Sequence, residues 1–229
     1  EGMVELASLK EADVVFSAVT GAVGFAPLLA AIRASKRIAL ANKEPMVMAG
    51  ELLMREAERW QARIIPVDSE PSAIFQCLAG VKPGQYDAAV SRVFLTASGG
   101  PFYAARGSMA KITPAQALRH PRWNMGPKIT VDSSTLMNKG LEAIEIKNFF
   151  SLPVSKIEVV IHPQSVVHSG VEFRDGSALA QLSPPDMKLP IQYALTWPDR
   201  APSLSEPLDL FRLSRLDFAQ PDFRRFPCL

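Results

Sequence analysis

Cysteine is scarce: Cys77 and Cys228 are the only two in 229 residues. Two cysteines cannot build a disulfide framework, and their scarcity suits a reducing compartment. No sign of charge is in excess either, with 25 Lys and Arg against 23 Asp and Glu. That balance excludes the basic stripe that marks a nucleic-acid-binding face, so no nucleic-acid partner is expected. Charged residues make up 21% and apolar ones 48%, which excludes a disordered chain and leaves ample material for a core. The uncharged run from 14 to 32 is nearly long enough to cross a bilayer, but Ser17, Thr20, Gly21, Gly24 and Pro27 interrupt it. A strand, a turn and a helix account for it better, and no membrane partner is expected. The three-glycine dinucleotide fingerprint is also missing: Gly21-Ala22-Val23-Gly24 reads as strand-to-helix packing. What the chain has in plenty is proline, 19 residues that imply many fixed loop corners.

The first part alternates in type. Residues 14–19, 37–41 and 63–67 are short apolar runs of strand length, and 27–34 and 46–60 read as helices between them. This order predicts an α/β fold with a parallel, partial Rossmann-like sheet and crossover helices. Ligands in such sheets bind beyond the carboxyl ends of the strands, where Asn42-Lys43-Glu44 and Asp68-Ser69-Glu70 lie. After Ser72 the pattern becomes α+β. Strands are expected at 93–96, 129–131, 157–161, 170–173 and 178–182, with Asp175-Gly176 as a hairpin turn. Helices are expected at 135–149 and 187–194. From Trp197 onward the prolines suggest a linker more than a core.

Asp68 and Glu70 stand one residue apart at a strand end, so they repel unless a cation neutralises them. A divalent metal suits such a pair; a solvated acidic turn is the plainer reading of the tripeptide alone. Asn138 and Glu142 share a helix face four residues apart, next to Lys139, and Glu142 offers a third oxygen ligand. Met137, Leu141 and Ile144 form a neighbouring apolar stripe expected to face the core. Ser98-Gly99-Gly100 offers a hydroxyl and backbone N–H groups for an anion, and Ser133 is read as preceding a helix. Each is weak alone, since one can be a plain turn and the other a cap. The segment His120-Pro121-Arg122-Trp123-Asn124-Met125-Gly126 can close over a ligand, or Trp123 can simply pack. His162 and His168 read as buried hydrogen-bonding residues.

Taken in order, these motifs are specific. They run from Ala41-Asn42-Lys43-Glu44 and Pro66-Val67-Asp68-Ser69-Glu70 through Ser98-Gly99-Gly100-Pro101-Phe102 and the His120 segment. Gly126-Pro127-Lys128-Ile129-Thr130-Val131-Asp132-Ser133, Thr135-Leu136-Met137-Asn138-Lys139-Gly140-Leu141-Glu142, His162-Pro163-Gln164-Ser165 and Pro184-Pro185-Asp186-Met187-Lys188-Leu189-Pro190 follow. From about Val4 to Leu229 the chain closely resembles the 1-deoxy-D-xylulose 5-phosphate reductoisomerases of isoprenoid precursor biosynthesis. The resemblance implies an oxidoreductase and isomerase that rearranges its phosphosugar to an aldehyde and reduces it with NADPH to 2-C-methyl-D-erythritol 4-phosphate. By motif, Asp68, Glu70 and Glu142 would hold Mg²⁺ or Mn²⁺. Lys43, Ser69, Glu70, Ser98, His120, Ser133, Asn138, Lys139 and Glu142 would contact substrate, with Lys43, Glu70, His120 and Glu142 catalytic. Asn42, Glu44 and Gly126 would face NADPH, and Trp123 would belong to a closing flap. It further implies an NADPH domain over 1–67, a catalytic domain over 68–200 and a linker over 201–229, in a homodimer. A cytoplasmic location is expected, or a plastid if a transit peptide lies upstream.

Two departures stand out. The family's glycine-rich NADPH loop would precede Glu1 and its C-terminal helical domain would follow Leu229, so a longer enzyme is expected, with poor NADPH binding by this part alone. A truncated, non-catalytic fragment that keeps phosphosugar or metal binding, or dimerisation, is the alternative. The second departure is Pro71, where the family usually has histidine. Proline removes an imidazole and an N–H and biases Glu70 towards extended backbone. Pro71→His is predicted to raise turnover of phosphosugar-dependent NADPH oxidation; unchanged or lower turnover would contradict this.

Overall fold

A computed structural model describes every residue except Arg106 and Arg122, so the Arg122 part of the His120 segment lies outside the described residues. Its first lobe contains α1 (Gly2–Ala7), β1 (Val14–Ser17), α2 (Phe25–Arg33), β2 (Arg37–Leu40), α3 (Glu44–Arg59) and β3 (Arg63–Pro66). The strands pair in parallel in the order β1-β2-β3, with Ile38 level with Val15 and Ile64. Ile38, Ala39 and Leu40 are wholly buried, as a central parallel strand covered on both faces requires. β1 is an outer strand and leaves Phe16 exposed.

The second lobe begins with α4 (Ser69–Cys77), α5 (Tyr86–Ala89), β4 (Val90–Ala97), α6 (Pro114–Ala117), α7 (Pro127–Ser134) and α8 (Met137–Phe150). It continues with β5 (Ile157–Ile161), β6 (Val167–Phe173), β7 (Ala178–Leu182), α9 (Lys188–Thr196) and α10 (Leu210–Leu213). The sheet order is β5-β4-β6-β7, with β4 and β5 parallel and the other pairs antiparallel. The expected hairpin turn is present: Gly176 has φ +87° between β6 and β7. No helix among the described residues is long and apolar enough to cross a membrane.

Four expectations change. Residues 129–131 are not a strand but the middle of α7. Pro127 starts that helix, and Thr130 Oγ1 donates back to Gly126 O at 2.8 Å, so the local β preference of Ile-Thr-Val is overridden. Ser133 consequently lies in the last turn of α7 rather than ahead of a helix; Leu136, at φ +59°, separates α7 from α8. On α8 the expected apolar stripe is reversed. Met137 and Ile144 are exposed, while Asn138, Lys139, Glu142 and Glu145 are buried together with Ile146 and Phe149. Finally, the stretch after 201 is not all linker. Ala219 exchanges backbone hydrogen bonds with Ile161, and Phe226 is buried beside Phe102 and Leu136.

The lobes are joined where α3 crosses α8. Gly50 sits against Asn148, whose Nδ2 donates to Met46 O at 2.7 Å next to a kink at Ala49. A Cβ on Gly50 would lie 2.5 Å from Asn148 Cβ and Nδ2. Elsewhere in a helix Gly→Ala gains about 1 kcal/mol. Here overpacking, at about 1–3 kcal/mol, outweighs that gain. Gly50→Ala is therefore predicted to lower the urea midpoint, and an unchanged or higher midpoint would contradict the crossing's role.

Candidate functional site

The crossing delivers Lys43, at the start of α3, into the buried polar face of α8. Its Nζ donates to Asn138 Oδ1 at 2.8 Å and Glu142 Oε1 at 2.9 Å, and pairs with Asp68 Oδ2 at 2.6 Å without hydrogen-bond alignment. Lys139 Nζ donates to Glu70 Oε1 and to Glu142 Oε2. Asn138 Nδ2 also donates to Glu142 Oε1, which confirms the shared face predicted from their spacing. Asp68 caps α4 by accepting Ser69 N–H at 3.1 Å, and Ser69 Oγ donates to Glu70 Oε2 at 2.6 Å. Pro71 is buried in the first turn of α4, where an N–H would lack a helical partner anyway.

Charge in this cluster is set by burial against pairing. Burial disfavours the Lys43 ammonium, but Asp68, Glu142 and Glu145 outweigh it and hold its pKa well above the usual lysine value. Burial would raise Glu70, yet the charge and hydrogen bond of Lys139 bring it down to about 2. Glu142 goes the other way. Its burial, then the Glu70 charge, lift its carboxyl to about 7 despite both lysines.

Asp68, Glu70 and Glu142 each offer an oxygen within 4.8 Å of the others. An all-carboxylate oxygen set fits a hard divalent cation, and a cation there would satisfy the poorly aligned Asp68 Oδ2. Glu145 escaped the sequence reading. It is wholly buried on the same face, its carboxylate oxygens have no hydrogen-bond partner among the described residues, and burial followed by the Asp68 charge raises its pKa well above the ordinary range. The signal was its place one turn after Glu142.

A second group gathers at the end of β4. Gly99 and Gly100 both have positive φ, and Gly100 N–H donates to Ser98 Oγ at 3.1 Å. A Cβ on Gly100 would lie 2.7 Å from Ser133 O, so the loop rests directly on the α7 end. Trp123 N–H donates to His120 Nδ1 at 2.8 Å, which places the neutral imidazole's proton on Nε2, 3.1 Å from Ser98 Oγ. Burial, then the Lys139 charge, lower the His120 pKa. Trp123 also packs edge-on to His168. His168 sits in a β6 bulge and bonds Ser183 O at 3.1 Å, while His162 is wholly buried against Asp217 O. The buried roles expected for both histidines agree.

A third group lies beyond β1 and β2. Asn42 Nδ2 donates to Glu44 Oε2, and Lys128 Nζ lies 3.0 Å from Glu44 Oε1. Gly126 is the exposed N-cap of α7. By contrast, the open groove lined by Pro184, Glu206, Pro207, Leu208, Asp209 and Arg212 is far poorer in convergent chemistry than the carboxylate cluster, which is the better candidate site.

Three family models match, described as 1-deoxy-D-xylulose 5-phosphate reductoisomerase over residues 1–50, its C-terminal domain over 64–150, and DXP reductoisomerase C-terminal domain over 182–229. The chain belongs to the 1-deoxy-D-xylulose 5-phosphate reductoisomerase family. Relatives of that name from Elusimicrobium minutum and Pelotomaculum thermopropionicum are each 58% identical over 229 residues, covering all of this chain and 58% of theirs. The chain thus spans under two thirds of these reductoisomerases. A DOX-P reductoisomerase crystallised with NADPH, fosmidomycin and magnesium aligns with a TM-score of 0.94 at 47% identity, covering 100% of this chain and 58% of that one. The Zymomonas mobilis reductoisomerase in complex with NADPH aligns at 0.90 and 45% identity, covering 99% and 57%.

A cation held by Glu142 would have to displace its proton, so Mn²⁺ affinity is predicted to fall up to about tenfold per pH unit below 7 and to level off above it. For the metal-free fold the sign is opposite. The Glu142 contribution is present below 4.5 and is lost as pH rises through about 7. A calorimetric Mn²⁺ titration across pH that showed no such slope, or one unchanged in Glu142→Gln, would contradict the assignment.

Proposed function

We propose that this chain carries the catalytic centre for NADPH- and divalent-metal-dependent conversion of 1-deoxy-D-xylulose 5-phosphate to 2-C-methyl-D-erythritol 4-phosphate. The convergence of Asp68, Glu70 and Glu142 at the mouth of the parallel sheet carries the reading. Those three residues would hold Mg²⁺ or Mn²⁺, which supplies Lewis acidity towards the substrate's carbonyl and hydroxyl oxygens. With the carboxylates so engaged, Lys43 and Lys139 would be released from them and free to direct their charge towards substrate. Lys43 then stabilises negative charge developing on a substrate oxygen. Lys139 joins Ser98, Ser133 and Asn138 around the phosphate, with the Gly100 N–H close by. His120 orders the Trp123 segment over the substrate through its hydrogen bonds with Trp123 N–H and Ser98 Oγ. Asn42, Glu44 and Gly126 flank the position of the reduced nicotinamide cofactor, beyond the strand ends.

The proposal extends to a homodimer in the cytoplasm. The uncharged β7, which pairs with no further strand among the described residues and exposes Leu179 and Leu182, supports a contact between copies. The bacterial sources of the relatives support the location.

The deciding assay follows NADPH oxidation in the complete protein while phosphosugar and Mg²⁺ are varied. Oxidation that requires both is expected, and Lys43→Met should lower kcat/KM roughly 10²–10³-fold, the scale of losing one preorganised electrostatic donor. Phosphosugar binding without oxidation would favour a non-catalytic role, and release of inorganic phosphate would favour a phosphohydrolase.

A further inference from the structure

Lys128 occupies the second position of α7, where a cation opposes the helix dipole. Its Nζ is held by Glu44 Oε1 at 3.0 Å and Asp132 Oδ2 at 2.8 Å. Asp132 is a neighbour on the same helix, but Glu44 belongs to the other lobe. The second Glu44 oxygen accepts from Asn42 Nδ2, which also reaches Gly21 O at 3.4 Å. Asn42 is itself confined, because a Cβ on Gly24 would overlap its Oδ1. Both oxygens of one carboxylate are therefore fixed, one from each lobe. This carboxylate stands where the carboxyl ends of β1 and β2 open, the place at which such sheets bind nucleotides.

A bare carboxylate there would repel the phosphates of a dinucleotide. With Lys128 in place its charge is balanced, and the pairing lowers the Glu44 pKa against the effect of burial. Lys128 is about half exposed, and an ion pair of that kind adds little to stability, about 0–1 kcal/mol. The fold has small need of this contact, so its geometry calls for another use.

We propose that Lys128 is a positioning residue for the nicotinamide cofactor, holding Glu44 neutralised and oriented towards a cofactor hydroxyl. The inference rests on the NADPH-dependent reading above. Its test is steady-state kinetics of the complete protein with NADPH and phosphosugar varied separately. Lys128→Met should raise the NADPH KM about tenfold, the scale of a hydrogen bond to a charged group. The phosphosugar KM and the melting temperature should be unchanged, and Lys128→Arg should recover most of the loss. Combined with Glu44→Gln the effect should be less than additive, whereas Asp132→Asn alone should leave the NADPH KM unchanged. The inference is overturned if Lys128→Met leaves the NADPH KM within twofold of wild type, raises both KM values alike, or is matched by Asp132→Asn. A wild-type protein that neither binds nor oxidises NADPH overturns the reading itself, and the inference with it.

Discussion

Glu142 exposes 1% of its side chain and sits between two ammonium groups. A carboxylate so enclosed survives only with compensation, since removing one partner of a buried ion pair strands the other at a cost of about 3–5 kcal/mol. That constraint orders the rest of the site. It brings Lys43 across from the first lobe, Lys139 from the preceding turn of α8, and Asp68 and Glu70 from the start of α4. Positive and negative charges then nearly match within the cluster, and the two lysines stand where a divalent cation would otherwise supply the balance.

The scaffold serves this convergence. Gly50 lets α3 approach α8 closely enough for Asn148 to reach the Met46 carbonyl near the kink, and Lys147 reaches Glu51 beside it. Lys43 comes three residues after β2 and Asp68 two residues after β3, so the strand ends of one lobe aim at the helix face of the other. Glu44, next to Lys43 in the chain, turns instead to Lys128 and Asn42, at the end proposed for the nucleotide. One short stretch of chain thus joins the proposed cofactor side to the proposed metal side.

Much of this was legible in residue order. The runs around Val15, Ile38 and Ile65 declare a parallel sheet because buried strands tolerate little else, and the spacing of Asn138 and Glu142 places both on one face. The orientation of α8 was not legible. The helix carries apolar residues on both sides, so periodicity alone cannot choose, and the need to pair its charges decided which face went inward. In α7 three β-branched residues outweighed Pro127 in a local reading, although proline at a first helical position was the better guide. The burial of Phe226 depends on contacts with Phe102 and Leu136, far away in sequence, and proline content carried no hint of it.

The central claim is that the lysines hold the place of a metal. A crystal grown with Mn²⁺ and measured for anomalous scattering tests it directly. The account predicts one strong peak shared by Asp68, Glu70 and Glu142, with Lys43 and Lys139 turned away from those carboxylates. A peak elsewhere, or none while both lysine pairs stay intact, would contradict it.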